Sequence, residues 1–272
     1  MGRGASQSRD ALLFCTLLPL RIDLNADVGE SFGAYAIGHD AGLMKSITSA
    51  NVAAGFHAGD PSVLRSTILL AKAHGVAVGA HPSFPDLAGF GRREMRVTPR
   101  EAEDFVLYQI AAVAGVAAAE GLHLQHVKPH GALFNMAMRD PGLASAIARA
   151  TVAFSRDLIV FALPESELLK AARVEGLRGV AEAFADRAYE ADGTLVSRGR
   201  PGAVIHDPSA VVARAVQMAK DGTVAAIDGT ILKFRPDTIC VHSDTPGADD
   251  LAGRLRGALD AAGVTVTAIG AS

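Results

Sequence analysis

The sequence predicts an α/β fold, a (β/α) barrel of about seven parallel strands that is complete or distorted. Short apolar runs alternate with segments that carry helix start and stop signals, as in parallel sheets with helical crossovers. Polar side chains follow the ends of most runs, where the βα loops of a barrel form its site. The chain has 272 residues, 49% of them hydrophobic, which is enough for one large core. A doubly wound open sheet is the alternative.

Caps mark the helix boundaries. Asp60, Asp140 and Asp207 each precede a Pro that suits the first helical position, so three helices are expected to begin there. Thr98 and Glu101 form a capping box that begins a fourth. Glycines that favour a left-handed C-cap predict the helix ends, at Gly75, Gly121, Gly176 and Gly263.

The apolar runs between these helices predict seven or eight strands. Two further runs around Asp228-Gly229 predict a β-hairpin insert, because this dipeptide favours a tight turn. Alternate side chains of a strand share a face, so Lys128 and His130 are expected to point into the barrel from one strand. The expected strands cover residues 22–27, 49–54, 76–80, 126–130, 158–163, 179–184, 238–242 and 264–269.

The composition argues against nucleic-acid and membrane partners and favours a small-molecule substrate. The net charge of −3 offers no basic surface for phosphates, and the chain has no Trp to stack on bases. The two cysteines, Cys15 and Cys240, lie far apart, which predicts a reduced, cytoplasmic protein.

The first 20 residues are expected to lie outside the fold. Arg3 and Arg9 precede an apolar run over residues 11–20, which imitates a signal peptide but is too short to span a membrane. No small-residue cleavage site separates it from Arg21, where the first strand is expected to begin. We therefore predict a disordered extension over residues 1–20 and a single barrel domain over residues 21–272, with secretion as the alternative.

Three residues at the ends of successive strands could hold a metal ion. Asp27, His57 and His81 offer a carboxylate and two imidazoles, which suit Zn²⁺ or another divalent ion. They lack the tight local spacing of common zinc motifs, and a lone His is more often a hydrogen-bonded structural residue. A divalent metal ion is therefore a candidate cofactor, with structural histidines as the alternative.

Lys128, His130, Glu182 and Asp186 are the candidate catalytic residues. A Lys inside a barrel loses hydration and needs an anion, which a substrate carboxylate or Glu182 could supply. His130 can move a proton near neutral pH, and Glu182 or Asp186 could act as a general base. The alternatives are structural ion pairs, of Lys128 with Glu182 and of Asp186 with a neighbouring arginine.

Other polar residues at the strand ends are expected to contact the substrate. The loop over residues 83–93 contains two glycines and two arginines and could act as a mobile lid over an anionic ligand. The sequence contains no Walker A, Rossmann or nucleophile-elbow pattern, so neither a nucleotide loop nor a Ser-His-Asp triad is predicted. The candidate substrate-binding residues are Asn25, Asn51, Arg92, Arg187, His242 and Asp244.

Six stretches in the same order resemble the LamB/YcsF family. The first runs from Asp23 to Glu30 with the sequence DLNADVGE. The resemblance spans residues 21 to about 268, which makes it more specific than any single motif. Ala54 and Ser243 depart from the family pattern, where Cys and Gly are expected, but neither change removes a polar group from the site. The other stretches are residues 49–51 with 54–61, 79–86 with 89–93, 128–133, 182–187 and 240–244.

This resemblance implies a distorted seven-stranded barrel related to glycoside hydrolases and sugar deacetylases. It also implies the ring opening of 5-oxoproline to glutamate, with ATP as co-substrate and with subunits B and C of a 5-oxoprolinase as partners. Since the chain lacks a recognisable nucleotide loop, part of the ATP-dependent step is expected on those partners. Two alternatives stay open: a metal-dependent deacetylase-like hydrolase, and a non-catalytic binding subunit.

Overall fold

Seven parallel strands close into a barrel, which confirms the predicted fold class. The computed structural model describes residues 20–242 and 247–270. In chain order the strands are β1 (Leu20–Val28), β2 (Ser49–Ala53), β3 (Ala77–His81), β4 (Leu124–Val127), β5 (Ile159–Ala162), β6 (Arg178–Phe184), β7 (Thr223–Ala225), β8 (Ile231–Lys233), β9 (Thr238–Val241) and β10 (Val264–Val266). Strands β1 to β6 pair in sequence, β6 pairs with β9, and β9 closes the barrel by pairing with β1.

Three of these strands lie outside the barrel. β10 pairs in parallel with the first residues of β1, Leu20 to Ile22. β7 and β8 form the predicted antiparallel hairpin, in which the Asp228 carboxylate accepts a hydrogen bond from the Thr230 N–H at 2.9 Å. Residues 1–19 and Asp244 lie outside the described residues, so the expectations for them stay predictions.

The helices begin at the predicted caps. Asp60, Asp140 and Asp207 each accept hydrogen bonds from two backbone N–H groups of the first turn, and Thr98 forms the capping box with Glu101. Each of these start signals is local, because the cap contacts residues no more than three positions further along the chain. The helices are α1 (Asp40–Leu43), α2 (Pro61–His74), α3 (Pro99–Ala119), α4 (Gly131–Ala137), α5 (Pro141–Phe154), α6 (Glu167–Val174), α7 (Pro208–Asp221) and α8 (Ala248–Ala261).

Helix α3 has the length and composition of a membrane-spanning helix, with 21 residues and a mean hydropathy of 1.3 over an 18-residue window. In the fold it packs against α5 and β3. Its buried side chains, among them Val106, Ile110 and Val113, recur at helical spacing and belong to the main apolar core. The apolar stripe of α3 is therefore occupied by the packing of this fold.

Strand β4 ends earlier than predicted, at Val127. The Lys128 N–H still donates to the Ala80 carbonyl at 3.0 Å, but Pro129 has no N–H, and His130 is already the N-cap of α4. The prediction that Lys128 and His130 share one strand is therefore wrong. Both side chains nevertheless line the same cavity.

The inner face of β1 is polar and its outer face is apolar. Leu24, on the outer face, is fully buried in the main core. Asp23, on the inner face, accepts hydrogen bonds from the hydroxyls of Thr48, Ser49 and Thr238 at 2.7, 2.6 and 2.5 Å. Burial raises the pKa of Asp23 above its ordinary value, although these hydroxyls lower it. Polar groups that satisfy one another therefore fill this side of the barrel.

His126 of β4 crosses the inner face of β3 at Gly79. Its ring stacks on Phe161 with centroids 4.2 Å apart, and its Nε2 lies 2.8 Å from Asn51 Oδ1. A Cβ on Gly79 would lie only 2.1 Å from His126 Nε2. The close approach of these two strands therefore depends on the missing side chain of Gly79.

Replacing Gly79 by Ala should lower the free energy of unfolding by about 1–3 kcal/mol, the usual cost of overpacking a core. Gly115→Ala in α3 is the matched control, because a Cβ there would meet nothing within 4 Å. It should raise stability by roughly 0.5–1 kcal/mol, as Ala does in a helix. Urea denaturation followed by circular dichroism measures both changes. Equal stability of Gly79→Ala and the wild type would contradict the packing described for His126.

Candidate active site

A cavity of about 610 Å³ opens at the carboxyl ends of the barrel strands. Asp27 and His81 line it from β1 and β3, and Lys128 lines it from the end of β4. His130 and His242 reach it from the loops that follow β4 and β9. Charged side chains of both signs complete its wall: Glu30, Arg92, Glu94, Arg139, Arg187, Glu190 and Arg198.

Lys128 is a buried cation at the floor of this cavity. Its ammonium lies 2.7 Å from Asp27 Oδ1, 3.2 Å from Glu182 Oε1 and 2.9 Å from Cys240 Sγ. Burial lowers the pKa of Lys128, but Asp27, Cys240 and Glu182 outweigh that effect and hold the pKa well above its ordinary value. The protein itself therefore supplies the anions that a buried lysine requires. This agrees with the alternative in which Lys128 forms a structural ion pair with Glu182.

The pKa values of the two carboxylates that face Lys128 are shifted in opposite directions. Burial alone would raise the pKa of Asp27. His81 and Lys128 together outweigh burial, so the pKa lies well below its ordinary value. Burial dominates at Glu182 and raises its pKa, against the attraction of Lys128. Asp27 is therefore the ionised partner of Lys128, and Glu182 takes up a proton more readily.

Asn25, Asn51 and Glu182 lie behind the cavity wall and are fully buried. The Asn25 amide donates to Glu182 Oε1 at 3.1 Å, and the Asn51 amide donates to Asn25 Oδ1 at 2.7 Å and to Asp27 Oδ1 at 2.9 Å. The predicted substrate contacts of Asn25 and Asn51 remain untested. Their observed contacts support the carboxylates around Lys128.

His57, His81 and His130 form a compact cluster with Glu30 beside this floor. His57 and His130 stack with ring centroids 3.9 Å apart, and His81 Nε2 lies 3.0 Å from His130 Nδ1. Burial lowers the pKa of His57 to about 3 and lowers the pKa of His130 well below its ordinary value. The cluster offers three imidazoles and one carboxylate, which is the composition of a metal-binding group.

The structure brings together only two of the three predicted metal ligands, Asp27, His57 and His81, in this cluster. His57 and His81 belong to the cluster, whereas the nearest cation to Asp27 Oδ1 is the Lys128 ammonium at 2.7 Å. Asp27 Oδ1 lies 3.4 Å from His81 Nε2, at the edge of the cluster. Sequence reasoning missed Glu30 and His130 as partners of the two histidines, because neither is at ligand spacing from them along the chain.

Asp186 and His242 form a buried pair near Asp27, since ligand atoms of Asp27, Cys240 and His242 lie within 4.8 Å of one another. His242 Nδ1 lies 2.7 Å from Asp186 Oδ2, and the imidazole stacks on Phe184. Burial alone would raise the pKa of Asp186. His242, with the nearby Arg187 and Arg198, outweighs burial, so the pKa lies below its ordinary value. An ionised Asp186 fixes the orientation of a histidine that faces the cavity, which is the arrangement of a proton-transfer group and its support.

Arg187 and the loop over residues 83–93 build the cavity walls. The Arg187 guanidinium donates to the carbonyls of Val196 and Ala203, at 2.6 and 3.3 Å, and so holds the segment that lines the mouth. Burial lowers the pKa of Arg187 to about 10. The loop is joined to α4, because the Ala132 N–H donates to the Gly91 carbonyl at 2.8 Å and a Cβ on Gly131 would lie within 2.4 Å of that oxygen. The loop is therefore anchored to α4 at Gly91, and its motion as a lid stays a prediction.

A closed parallel barrel with a cavity of charged side chains at the carboxyl ends of its strands defines a (β/α)-barrel protein with a candidate active site at the usual end of the barrel. The LamB/YcsF family model matches residues 22–272. The chain belongs to the LamB/YcsF family, as the sequence motifs predicted.

Similar proteins agree with this assignment. The 5-oxoprolinase A subunit of Chloroflexus aggregans is 55% identical over 247 residues, which cover 91% of this chain and 98% of the relative. The protein of the same name from Bacillus subtilis is 52% identical over 249 residues, which cover 92% of this chain and 97% of the relative. The crystal structure of a lactam utilization protein from Thermus thermophilus superposes with a TM-score of 0.87 at 50% identity, covering 92% of this chain and 100% of that one.

Replacing Lys128 by Met should lower the free energy of unfolding by about 3–5 kcal/mol, because Asp27 would remain buried without its counter-ion. Adding Asp27→Asn should recover part of the loss, since no uncompensated charge is then left. Lys45→Met is the control, because Lys45 is exposed, and should change stability by no more than about 0.5 kcal/mol. Chemical denaturation of the wild type and these three variants measures the changes. If Lys128→Met is as stable as Lys45→Met, the ion cluster is not structural.

Replacing Glu182 by Gln should change how stability depends on pH. A raised pKa in the folded state means that wild-type stability falls as pH rises above the ordinary value of 4.5, whereas Gln cannot titrate. The stability of Glu182→Gln relative to the wild type should therefore increase with pH. Glu101→Gln should show the opposite trend, because capping lowers the pKa of Glu101. Urea denaturation from pH 4.5 to neutrality measures the trend for Glu182→Gln, and the same measurement below pH 4.5 measures the trend for Glu101→Gln. Parallel curves for Glu182→Gln and the wild type above pH 4.5 would contradict the raised pKa.

Proposed function

We propose that this chain is the A subunit of a 5-oxoprolinase, which opens 5-oxoproline to glutamate with hydrolysis of ATP to ADP and phosphate. The observation that carries the proposal is the 55% identity to a 5-oxoprolinase A subunit across 98% of that relative. A protein that is one subunit of an enzyme has partners, which we take to be subunits B and C of the same complex. The lactam utilization protein supports the same class of substrate.

The cavity suits a small anionic lactam. Arg92 and Arg198 lie on its wall, and guanidinium groups bind carboxylates through paired N–H donors. We assign these two residues to the substrate carboxylate, because both of their side chains line the cavity. The lactam ring would then lie between the two histidine-containing walls of the cavity.

The reaction requires three events at the lactam. Phosphoryl transfer from ATP to the carbonyl oxygen releases ADP and makes the carbonyl carbon electrophilic. Water then adds to that carbon, and the ring nitrogen takes a proton as the C–N bond breaks, which leaves an acyl phosphate. A second water hydrolyses the acyl phosphate to glutamate and phosphate. We assign the proton transfer to His242, oriented by Asp186 through its Nδ1. Because the sequence has no recognised nucleotide-binding pattern, we assign at least part of the ATP site to the partner subunits.

We place the assembly in the cytoplasm, where ATP is available and thiols stay reduced. Cys240 is a free, buried thiol in the structure. Burial raises its pKa well above the ordinary value, so this thiol is not a nucleophile at neutral pH.

Reconstitution tests the proposal. The purified chain is mixed with the B and C subunits, and glutamate formed from 5-oxoproline and ATP is measured, together with the phosphate released. Omission of this chain should abolish glutamate formation. A complete complex that forms no glutamate would refute the assignment.

The histidine cluster favours a second candidate, a metal-dependent hydrolase, which would act without ATP and lose its activity to a chelator.

Replacing His242 by Ala should lower the turnover of the complex by about 10²- to 10⁴-fold, the usual contribution of a general acid or base. Asp186→Asn should also lower turnover, because an amide favours the wrong tautomer of His242. His206→Ala is the control, since His206 is exposed and does not line the cavity. Steady-state kinetics with circular dichroism of each variant measures these effects. Wild-type turnover by folded His242→Ala would favour a non-catalytic binding subunit.

A further inference from the structure

Two buried imidazole rings meet nitrogen to nitrogen in the histidine cluster. His81 Nδ1 lies 2.6 Å from the backbone carbonyl of Lys128, and His130 Nε2 lies 2.9 Å from the carbonyl of Phe90. A carbonyl only accepts, so each of these nitrogens carries its ring's proton. An imidazole with one proton presents a lone pair at its second nitrogen, and these second nitrogens, His81 Nε2 and His130 Nδ1, lie 3.0 Å apart.

Two lone pairs directed at one another repel, and a cation shared between them removes the conflict. The arrangement also matches the way in which proteins hold metal ligands, because a ligating histidine usually donates its other N–H to a backbone carbonyl or a carboxylate. This hydrogen bond fixes the tautomer and the direction of the free lone pair. Both His81 and His130 are fixed in this way by the backbone.

His57 and Glu30 supply two more donor atoms. The side chain of His57 is fully buried, and within the described part of the chain neither of its ring nitrogens makes a hydrogen bond. Its Nε2 lies 3.4 Å from Glu30 Oε1, which is 3.7 Å from His130 Nδ1. Ligand atoms on a tetrahedral zinc ion are separated by about 3.3 Å, given metal–nitrogen distances of roughly 2.0–2.1 Å. The observed separations of 3.0, 3.4 and 3.7 Å are close to that spacing.

We propose that Glu30, His57, His81 and His130 bind one divalent transition-metal ion of the zinc class. Three imidazoles and one carboxylate favour zinc and its first-row neighbours over Mg²⁺ and Ca²⁺, which prefer oxygen ligands. Three of the four ligands line the cavity, so the ion is accessible from it. The site concerns ion binding alone and does not depend on the reaction proposed above.

The neighbouring group of Asp27, Cys240 and His242 has similar donors but is a poor cation site. The Lys128 ammonium lies 2.7 Å from Asp27 Oδ1 and 2.9 Å from Cys240 Sγ, so a positive charge already occupies that position. The metal ion is therefore assigned to the histidine cluster alone, and Glu30 rather than Asp27 is its carboxylate ligand.

Zinc titration of the isolated full-length chain tests the proposal, with purification tags removed and bound metals stripped by a chelator. The wild type should bind about one zinc ion, and Co²⁺ in its place should give the visible absorption of a nitrogen-ligated site. His57→Ala and His130→Ala should each weaken zinc binding by at least about 100-fold, because removal of a ligand exceeds the loss seen for outer-shell changes. His206→Ala, at the surface, should bind zinc as the wild type does.

Glu30→Gln keeps the shape of the side chain and serves as a second ligand variant if an alanine variant does not fold. A wild-type chain that binds no zinc at micromolar concentration would overturn the proposal, and the two facing rings would then share a proton. Zinc binding by folded His130→Ala and Glu30→Gln with wild-type affinity would also overturn it. Glutamate formation by the complex enters neither outcome, so failure of the proposed function is a separate result.

Discussion

The ammonium group of Lys128 sets the arrangement of the whole barrel interior. A buried cation is tolerated only where carboxylates face it, and here they come from two other strands, Asp27 on β1 and Glu182 on β6. These carboxylates are held in turn by Asn25 and Asn51. A shift of one residue in the register of either strand would turn its carboxylate to the opposite face. The same group that fixes the strand registers also forms the cavity floor, so stability and site geometry rest on one charge balance.

Local signals in the sequence predicted the elements well, because caps act within a single turn of helix. Asp60, Asp140 and Asp207 begin helices as expected, and the turn at Asp228 joins a hairpin. The end of β4 was misjudged, because its apolar and polar alternation continues past Pro129, although the strand ends at Val127 and His130 is already the N-cap of α4. Closure of the barrel by β1 and β9 could be inferred only from the number of strands, since these partners are 215 positions apart, as Asp23 and Thr238 show.

The sequence predicted which residues belong to the candidate site, but not how deeply each of them is buried. Alternation within strands identified the inward-facing residues, yet it could not separate the cavity wall from the layer beneath, where Asn25, Asn51 and Glu182 lie. The contact between Asp186 Oδ2 and His242 Nδ1, at 2.7 Å, also had no signal in the sequence, because the two residues are 56 positions apart. The grouping of His57 and His81 with Glu30 and His130 depends on loop geometry that no periodicity encodes. Backbone carbonyls decide the histidine tautomers, and such contacts have no signature in side-chain sequence.

The pairing of β1 with both β9 and β10 has a consequence for how this chain folds during synthesis. The strand made first leaves the ribosome long before its partners, so one edge of β1 waits unpaired until most of the chain has followed. Contacts between such distant segments form slowly, and an open apolar strand edge is prone to aggregation. Translation speed and chaperone supply should therefore limit the yield of this protein more strongly than they limit the yield of a helical bundle of equal length.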